Sequence, residues 1–201
     1  MTQTGSLPIE RPSNDPEWTY DMRRTAQSIL PYLYLGPVEA ARNLALLHSN
    51  GITAVCILRT QAEAMYLKPK YPQTFTYQVF EISDSDDQNL IKIAPFFRQF
   101  IEAESAKPNG RILVHDEGGM SRAPAMVILY LIEKYGASYE DAAAFVQRKR
   151  YCTHLNIGFT QQCRAFQDIC RARETVAGYN SSVLLNDQNP HRKRVLEEDE
   201  E

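Results

Sequence analysis

One short stretch of the chain carries the residue types that could do chemistry. It reads His115, Asp116, Glu117, Gly118, Gly119, Met120, Ser121 and Arg122. The apolar run Ile112–Val114 precedes it, as a buried strand would, and an apolar segment with Pro124 near its start follows it, as a helix would. A glycine-containing loop before a helix N-terminus suits an anion, because the first helical amides lack partners and the dipole is positive there. Arg122 adds a planar, bidentate donor, so the stretch predicts a site shaped for phosphate.

The loop resembles that of the cysteine-dependent phosphatases, which reads His-Cys-five residues-Arg, with Asp116 in place of the cysteine. Residues 26 to 175 resemble the dual-specificity phosphatase family, most closely its pseudophosphatase members, whose loop also lacks the cysteine. The best-known of these has a glycine where this chain has Asp116 and a neutral residue where it has Glu117. Beside the loop, the stretches that carry the resemblance are Glu17–Tyr20, Met22–Arg24, Ile29–Pro31, Leu33, Leu35–Pro37, Phe145–Gln147 and Asn156–Phe159.

The resemblance implies a role for each of these positions, and one role is lost. In the family a thiolate attacks phosphorus, a carboxylic acid protonates the leaving oxygen, and the arginine and loop amides hold the developing charge. Arg122 is present, Asp84 matches the general acid, and Ser121 matches the hydroxyl that helps departure from the cysteine. Asp116 is a degenerate nucleophile, which leaves Asp84 a vestigial acid, and no catalytic residue is expected. We expect His115 to order the loop through its ring hydrogen bonds.

Asp116 could itself attack phosphorus, because carboxylates do form aspartyl-phosphates in some enzymes. Such sites normally recruit Mg²⁺ to neutralise the approaching anion. The sequence shows no carboxylate cluster on a matched scaffold that could hold this ion. We therefore expect neither a metal nor any other cofactor.

Electrostatics decides whether the loop still binds phosphate. A carboxylate about 4 Å from one unit of phosphate charge repels it by ~4 kcal/mol at an effective dielectric constant of about 20. A charge-assisted hydrogen bond from Arg122 returns only about 1.5–3 kcal/mol. The loop amides and Arg122 oppose protonation of Asp116, and Glu117 adds a second negative charge. We predict that Asp116 is a built-in anion that occupies the loop, pairs with Arg122 and leaves phosphate binding weak.

These features favour binding over catalysis. We expect an inactive pseudophosphatase that acts as an adaptor or competitor, and the resemblance implies a MAP kinase or an F-box ubiquitin-ligase subunit as partner. Two alternatives remain open: a module that binds phosphopeptides without cleaving them, and a phosphatase that is weakly active or was inactivated by an introduced Asp116. The charges of Asp116 and Glu117 argue against the first. Glu117 also argues against an introduced change, since one substitution would leave it alone.

Strand-like and helix-like segments alternate along the chain, which predicts an α/β fold. The resemblance specifies a cysteine-phosphatase-like central mixed sheet, mostly parallel, flanked by helices on both faces. We expect an N-terminal arm over 1–25, the phosphatase-like domain over 26–177 and a disordered charged tail over 178–201. Trp18, Tyr20 and Met22 are expected to pin the arm to the domain, with a disordered leader as the alternative. The expected strands are 32–35, 52–58, 74–82 and 111–115, and the expected helices are 37–49, 90–105, 123–135, 138–150 and 158–175.

Composition and charge limit the expected partners and cellular location of the protein. The net charge of −3 gives no reason to expect binding to nucleic acid or to a membrane. The four cysteines lack paired Cys-x-x-Cys spacing, so we expect reduced thiols in an intracellular protein. The polar N-terminal segment has no apolar run typical of a secretory signal. The basic run His191–Arg194 is either a nuclear import signal or a solvated charge run, and we expect a cytoplasmic and nuclear location.

Overall fold

The computed structural model describes residues 7–8 and 18–187, with side chains described up to residue 177. The described residues up to Gln167 form one compact unit, and residues 168–187 continue the last helix as a second unit. The basic run at 191–194 and the acidic end of the chain lie outside the described residues. No helix in the described part of the chain is long and apolar enough to cross a membrane.

Five strands form one mixed, mostly parallel sheet in the order β1-β2-β5-β3-β4. Only β1 and β2 pair antiparallel, and the other neighbours are parallel. β3 and β5 lie in the middle and are almost continuously apolar and buried, as expected for parallel strands that are covered on both faces. The strands are β1 (Gln27–Leu30), β2 (Leu33–Gly36), β3 (Ala54–Arg59), β4 (Thr76–Glu81) and β5 (Ile112–His115).

Helices cover both faces of this sheet. Val55, Ile57 and Leu113 belong to a cluster that also contains residues of the first two helices, on one face. Successive side chains of a strand point to opposite faces, so the equally buried Cys56 and Val114 face the other side, where later helices contact β2 and β5. The helices are α1 (Val38–Arg42), α2 (Leu44–Ser49), α3 (Ala94–Ser105), α4 (Arg122–Tyr135), α5 (Tyr139–Lys149) and α6 (Ile157–Asp187).

Helix ends follow the local sequence. Ser138 caps α5 by accepting a hydrogen bond from the amide of Asp141 at 3.0 Å, as the spacing of these two residues predicts. Asn156 accepts from the amide of Phe159 at 2.8 Å at the start of α6. The expected single helix over 37–49 is two helices, because Asn43 leaves helical geometry and caps α2 through the amide of Leu46 at 3.1 Å.

Both ends of the domain differ from the expectation. α6 continues past Gly178 to Asp187, where the sequence predicted a disordered tail. A single glycine costs a helix only about 1 kcal/mol, and no proline interrupts this segment. At the other end, β1 was not expected, and a 3-10 helix spans Tyr20–Arg24 inside the segment expected to be an arm.

The sheet topology sets the position of the functional residues. The parallel strands β3, β4 and β5 point the same way, so the segments that follow them meet at one edge of the sheet. These segments are a turn that contains the 3-10 helix Ala62–Met65, the acidic loop that contains Asp84, and the loop from His115 to Arg122. The fold therefore brings together residues that lie far apart in the sequence.

Candidate functional site

The loop between β5 and α4 has its carbonyl groups turned outward. Four consecutive carbonyl oxygens accept hydrogen bonds from groups outside the loop. The pairs are Val38 N to Glu117 O (3.1 Å), Arg150 to Gly118 O (3.0 Å) and Gly119 O (2.7 Å), and His154 N to Met120 O (2.8 Å). In a trans peptide the N–H of the next residue points opposite to the C=O. The following amides are therefore directed towards the inside of the loop, as an anion-binding loop requires.

Gly119 lets the loop turn this tightly. Its φ of +65° is one that glycine adopts without steric cost, and a Cβ at this position would lie 2.4 Å from the carbonyl oxygen of Gly36. The glycine at position 119 thus serves the close approach of the loop to β2.

The Asp116 carboxylate occupies the inside of the loop. The residue is 3% exposed. One carboxylate oxygen accepts a hydrogen bond from the amide of Gly119, and the other accepts one from the amide of Ala123 at 2.9 Å. Ala123 lies in the first turn of α4, so Asp116 satisfies one of the amides that a helix start leaves unpaired. A built-in anion was predicted here, and the carboxylate lies where that prediction put it.

The protonation of Asp116 differs from the expectation. Burial raises the pKa of this carboxyl above its ordinary value. The amides of Ala123 and Gly119 and the charge of Arg122 all act in the opposite direction, and only these effects had been expected. The expectation omitted desolvation, which outweighs them.

Arg122 is bound by a residue that the sequence did not point to. Its two terminal nitrogens donate to the two carboxylate oxygens of Glu63, at 2.5 and 2.9 Å. Both side chains are largely buried, with exposures of 6% for Arg122 and 16% for Glu63. The expected pair of Arg122 with Asp116 is therefore replaced by a bidentate pair with Glu63. Nε of Arg122 is buried without a hydrogen-bond partner among the described residues.

Glu63 is itself held in place by the turn that follows β3. It accepts hydrogen bonds from the backbone amide of Thr60 at 2.6 Å and from the Thr60 hydroxyl at 3.0 Å. Burial of Glu63 acts to raise its pKa. The hydrogen bonds and charge of Arg122 and the hydrogen bonds of Thr60 outweigh this effect and lower the pKa of Glu63 to about 2. The carboxylate is thus ionised and fixed against the arginine.

Asp84, at the position of the vestigial acid, is tied to the loop. It accepts hydrogen bonds from the hydroxyl of Ser121 at 2.7 Å and from the side-chain amide of Asn156 at 2.8 Å. Asp84 is exposed, and the same carboxylate oxygen binds both partners. Ser121 is a hydrogen-bond donor that joins the acidic loop to the phosphate-type loop.

His115 is buried at the end of β5. Its Nδ1 lies 3.0 Å from the carbonyl oxygen of Asp116, so the neutral ring carries its proton on Nδ1. Burial lowers the pKa of His115 to about 4. The neutral ring therefore orders the start of the loop. His115 does not line the cleft.

Arg150 is a second residue that the sequence did not single out. Its guanidinium is fully buried and donates to the carbonyl groups of Gly118 and Gly119 in the loop. On its other side it donates to the carbonyl oxygens of Arg23 and Thr25, at 3.0 Å each, and to the side chain of Gln27. Of the three residues expected to pin the arm, Tyr20 is 71% exposed, whereas Trp18 and Met22 are half-buried. Arg150 adds a fastening of this segment that was not expected.

These groups surround a cleft with a volume of about 750 Å³. Its floor is formed by the loop, and one wall by the 3-10 helix with Tyr20, Arg23 and Arg24. Acidic residues line much of the remainder, namely Glu39, Asp84, Asp116 and Glu117. The cleft can thus offer a partner a surface of both signs, and the carboxyl group of Asp116 lies at its floor.

The described residues contain no group of His, Cys, Asp or Glu that could hold a metal ion. The four cysteines, all among the described residues, form no disulfide. Cys152 is half-buried near the loop, and burial raises the pKa of its thiol, which disfavours the thiolate that a nucleophile requires.

Comparison with known proteins agrees with this geometry. The catalytic domain of dual specificity phosphatases matches residues 33–169. The human serine/threonine/tyrosine-interacting protein is 41% identical over 162 residues, which cover 80% of this chain and 72% of the relative. Dual specificity protein phosphatase 1B from Arabidopsis thaliana is 33% identical over 135 residues, covering 67% and 77%.

Solved structures agree as well. The crystal structure of the human tyrosine phosphatase-like serine/threonine/tyrosine-interacting protein superposes with a TM-score of 0.70 at 38% sequence identity, and the match covers 73% of this chain and 97% of that one. The chain therefore belongs to the dual specificity phosphatase family and is similar, within it, to the serine/threonine/tyrosine-interacting proteins.

Proposed function

We propose that this protein is a catalytically inactive phosphatase-like domain that acts by binding other proteins. The observation that carries the proposal is the position of Asp116. Its two carboxylate oxygens accept hydrogen bonds from the amides of Gly119 and Ala123. The family chemistry needs a thiolate here, and loss of a nucleophile typically costs several orders of magnitude in kcat.

The state of Arg122 supports the same proposal. In phosphoryl transfer this arginine must hold the charge on the equatorial oxygens. Here both terminal nitrogens are engaged by Glu63, so a phosphate would have to displace a bidentate carboxylate to obtain the same bonds. The nucleophile position and the arginine are thus both occupied by carboxylates of the chain itself.

We further propose that the protein acts as an adaptor or competitor in phospho-signalling or in the regulation of a ubiquitin ligase. A MAP kinase and an F-box subunit are the partner classes to test, and the proposed location is the cytoplasm and nucleus. Support comes from the similarity to proteins whose name describes them as interacting proteins, and from a cleft that remains open.

A second candidate is a module that binds phosphopeptides without cleaving them. The inward-directed amides and the unpartnered Nε of Arg122 favour it, while Asp116 and Glu117 oppose it. Calorimetry with a phosphotyrosine peptide separates the two functions. An adaptor binds the purified kinase or F-box subunit regardless of added phosphate and binds the phosphopeptide weakly. Tight phosphopeptide binding that inorganic phosphate abolishes would overturn the proposal in favour of the second candidate.

A further inference from the structure

The turn between β3 and β4 carries an exposed apolar group outside the cleft. Met65 is 85% exposed, which is the highest value among the large hydrophobic side chains described, and the neighbouring Tyr66 is 40% exposed. Neither side chain lines the cleft. A large apolar side chain that stays in water on an ordered turn forgoes the gain from burial, so its position favours contact with another molecule.

This part of the chain is held firmly despite its irregular backbone. Leu67 is completely buried and fixes the turn to the domain. Arg42 of α1 donates to the carbonyl oxygen of Tyr66 at 2.8 Å, and its own carbonyl oxygen accepts from Tyr71 at 2.7 Å and Lys70 at 3.3 Å. A surface that is already ordered loses little conformational entropy on binding. Its exposed residues are therefore arranged in advance of any partner.

The same surface is basic, although the chain as a whole has a net charge of −3. Arg42, Lys68 and Lys70 are exposed cations on it. The single carboxylate between residues 60 and 71 is Glu63, which is engaged by Arg122 and Thr60. An anionic segment would thus meet positive charge without a competing free carboxylate from this turn.

We propose that Arg42, Met65, Tyr66, Lys68, Lys70 and Tyr71 form a docking surface for an acidic segment of a partner protein. Carboxylates of that segment contact the cations, and one large apolar side chain packs beside Met65 and Tyr66. The proposal rests on the protein-binding function proposed above but concerns residues that do not line the cleft. The two proposals can therefore fail separately. If the acidic peptide does not bind, the proposed inactivity of the loop still stands. If the protein has phosphatase activity, the proposed docking surface still stands.

The test uses the full chain, labelled with ¹⁵N, and a fluorescein-labelled synthetic peptide in which Asp and Glu residues flank a Leu and a Phe. Three companion probes change one property each. In the first, Ser replaces the two apolar residues. In the second, Asn and Gln replace the acids. Vesicles of phosphatidylserine form the third. Fluorescence anisotropy gives the affinity, and amide shifts locate the contact.

The variant Met65→Ala with Lys70→Glu removes one apolar and one basic contact. Its control is Phe96→Ala with Lys92→Glu, which makes the same type of change at the exposed start of α3, where Phe96 is 64% exposed. We expect the affinity of the Met65/Lys70 variant for the peptide to fall about tenfold or more. The control variant should bind the peptide with the affinity of the native protein. Both variants should unfold at the native midpoint, because the side chains they change are exposed.

Support requires shifts at residues 42 and 62–71, weaker binding of both altered peptides, and affinity that falls with added salt. The proposal is overturned if the native protein does not bind the acidic peptide, or if the shifts map to the cleft. It is equally overturned if the vesicles bind and the peptide does not, since the surface would then recognise a membrane.

Discussion

Two carboxylates accept the hydrogen bonds that the loop would otherwise donate to a phosphate. Asp116 accepts the loop amides, and Glu63 binds Arg122. The sequence alone pointed to Asp116, because its position within the loop is fixed by the glycines and the arginine around it. Glu63 could not be found in this way, since it lies 59 residues before Arg122 and meets it only because β3 and β5 are neighbours.

Replacing Glu63 tests its pair with Arg122. In Glu63→Gln the charge-assisted bidentate pair is lost, and Arg122 remains buried without the carboxylate that binds its two terminal nitrogens. We expect the free energy of unfolding at neutral pH to fall by about 1–3 kcal/mol. Chemical denaturation measures this change. Glu140→Gln is the control, because Glu140 pairs with Arg164 on the exposed surface, where such pairs contribute little.

The pH dependence of this variant gives a second check. The folded pKa of Glu63 is lowered to about 2. Its stabilisation is therefore present above the unfolded pKa, ordinarily 4.5, and is lost as the pH falls towards 2. The difference in unfolding free energy between the native protein and Glu63→Gln should shrink across this window. A difference that stays constant would show that the pair contributes no charge-dependent stability.

The pKa shift of Asp116 on folding has the opposite sign to that of Glu63. Burial raises its folded pKa above the ordinary 3.8, so the folded state holds its proton more tightly than the unfolded state does. Its favourable contribution is complete below the ordinary pKa and is lost as the pH rises through the raised value. We expect the unfolding free energy of the native protein, relative to Asp116→Gly, to decrease with rising pH in denaturant titrations. An increase would mean that the amide hydrogen bonds outweigh burial.

At the scale of elements, sequence patterns gave most of the architecture. Apolar runs predicted β3 and β5, and the helices expected from 138 and 158 begin at the capping residues Ser138 and Asn156. Short or exposed elements escaped, because β1 has four residues and its Ser28 is exposed. The split between α1 and α2 escaped as well, since Asn43 reads as an ordinary helix residue unless its capping role is known.

Arg150 connects two of these elements, the segment before β1 and the loop before α4. Arg150→Met leaves the carbonyl groups of Gly118, Gly119, Arg23 and Thr25 without this donor. We expect a loss of about 3 kcal/mol or more of unfolding free energy. We also expect faster amide hydrogen exchange at residues 23–27 and 117–120 than in the native protein.

The matched control is Arg148→Met, two positions earlier, where the arginine is exposed. Arg150→Lys keeps the charge but not the planar guanidinium, so its effect should have the same direction and be smaller. If the two segments exchange at the native rate in Arg150→Met, Arg150 does not hold them together.

For the molecule as a whole, the proposed function keeps the fold of the family without its chemistry. The sheet order, the helices and the loop are those of the dual specificity phosphatases. An ordered series of motifs predicted that architecture, because each motif occupies a fixed place along the chain. The partner could not be predicted in the same way, since binding surfaces such as the one around Met65 depend on exposed residues that the fold does not constrain.

The most direct test of this account compares release of phosphate from a small aryl phosphate by the native protein and by Asp116→Cys. We expect no activity above background from the native protein. We expect measurable activity from Asp116→Cys, although lower than in an enzyme with a free arginine, because Asp84 and Ser121 remain at the loop and Glu63 engages only the terminal nitrogens of Arg122, not its Nε. Phosphate release by the native protein that disappears in Arg122→Ala would contradict the account, since Asp116 or another group would then have to act as the nucleophile.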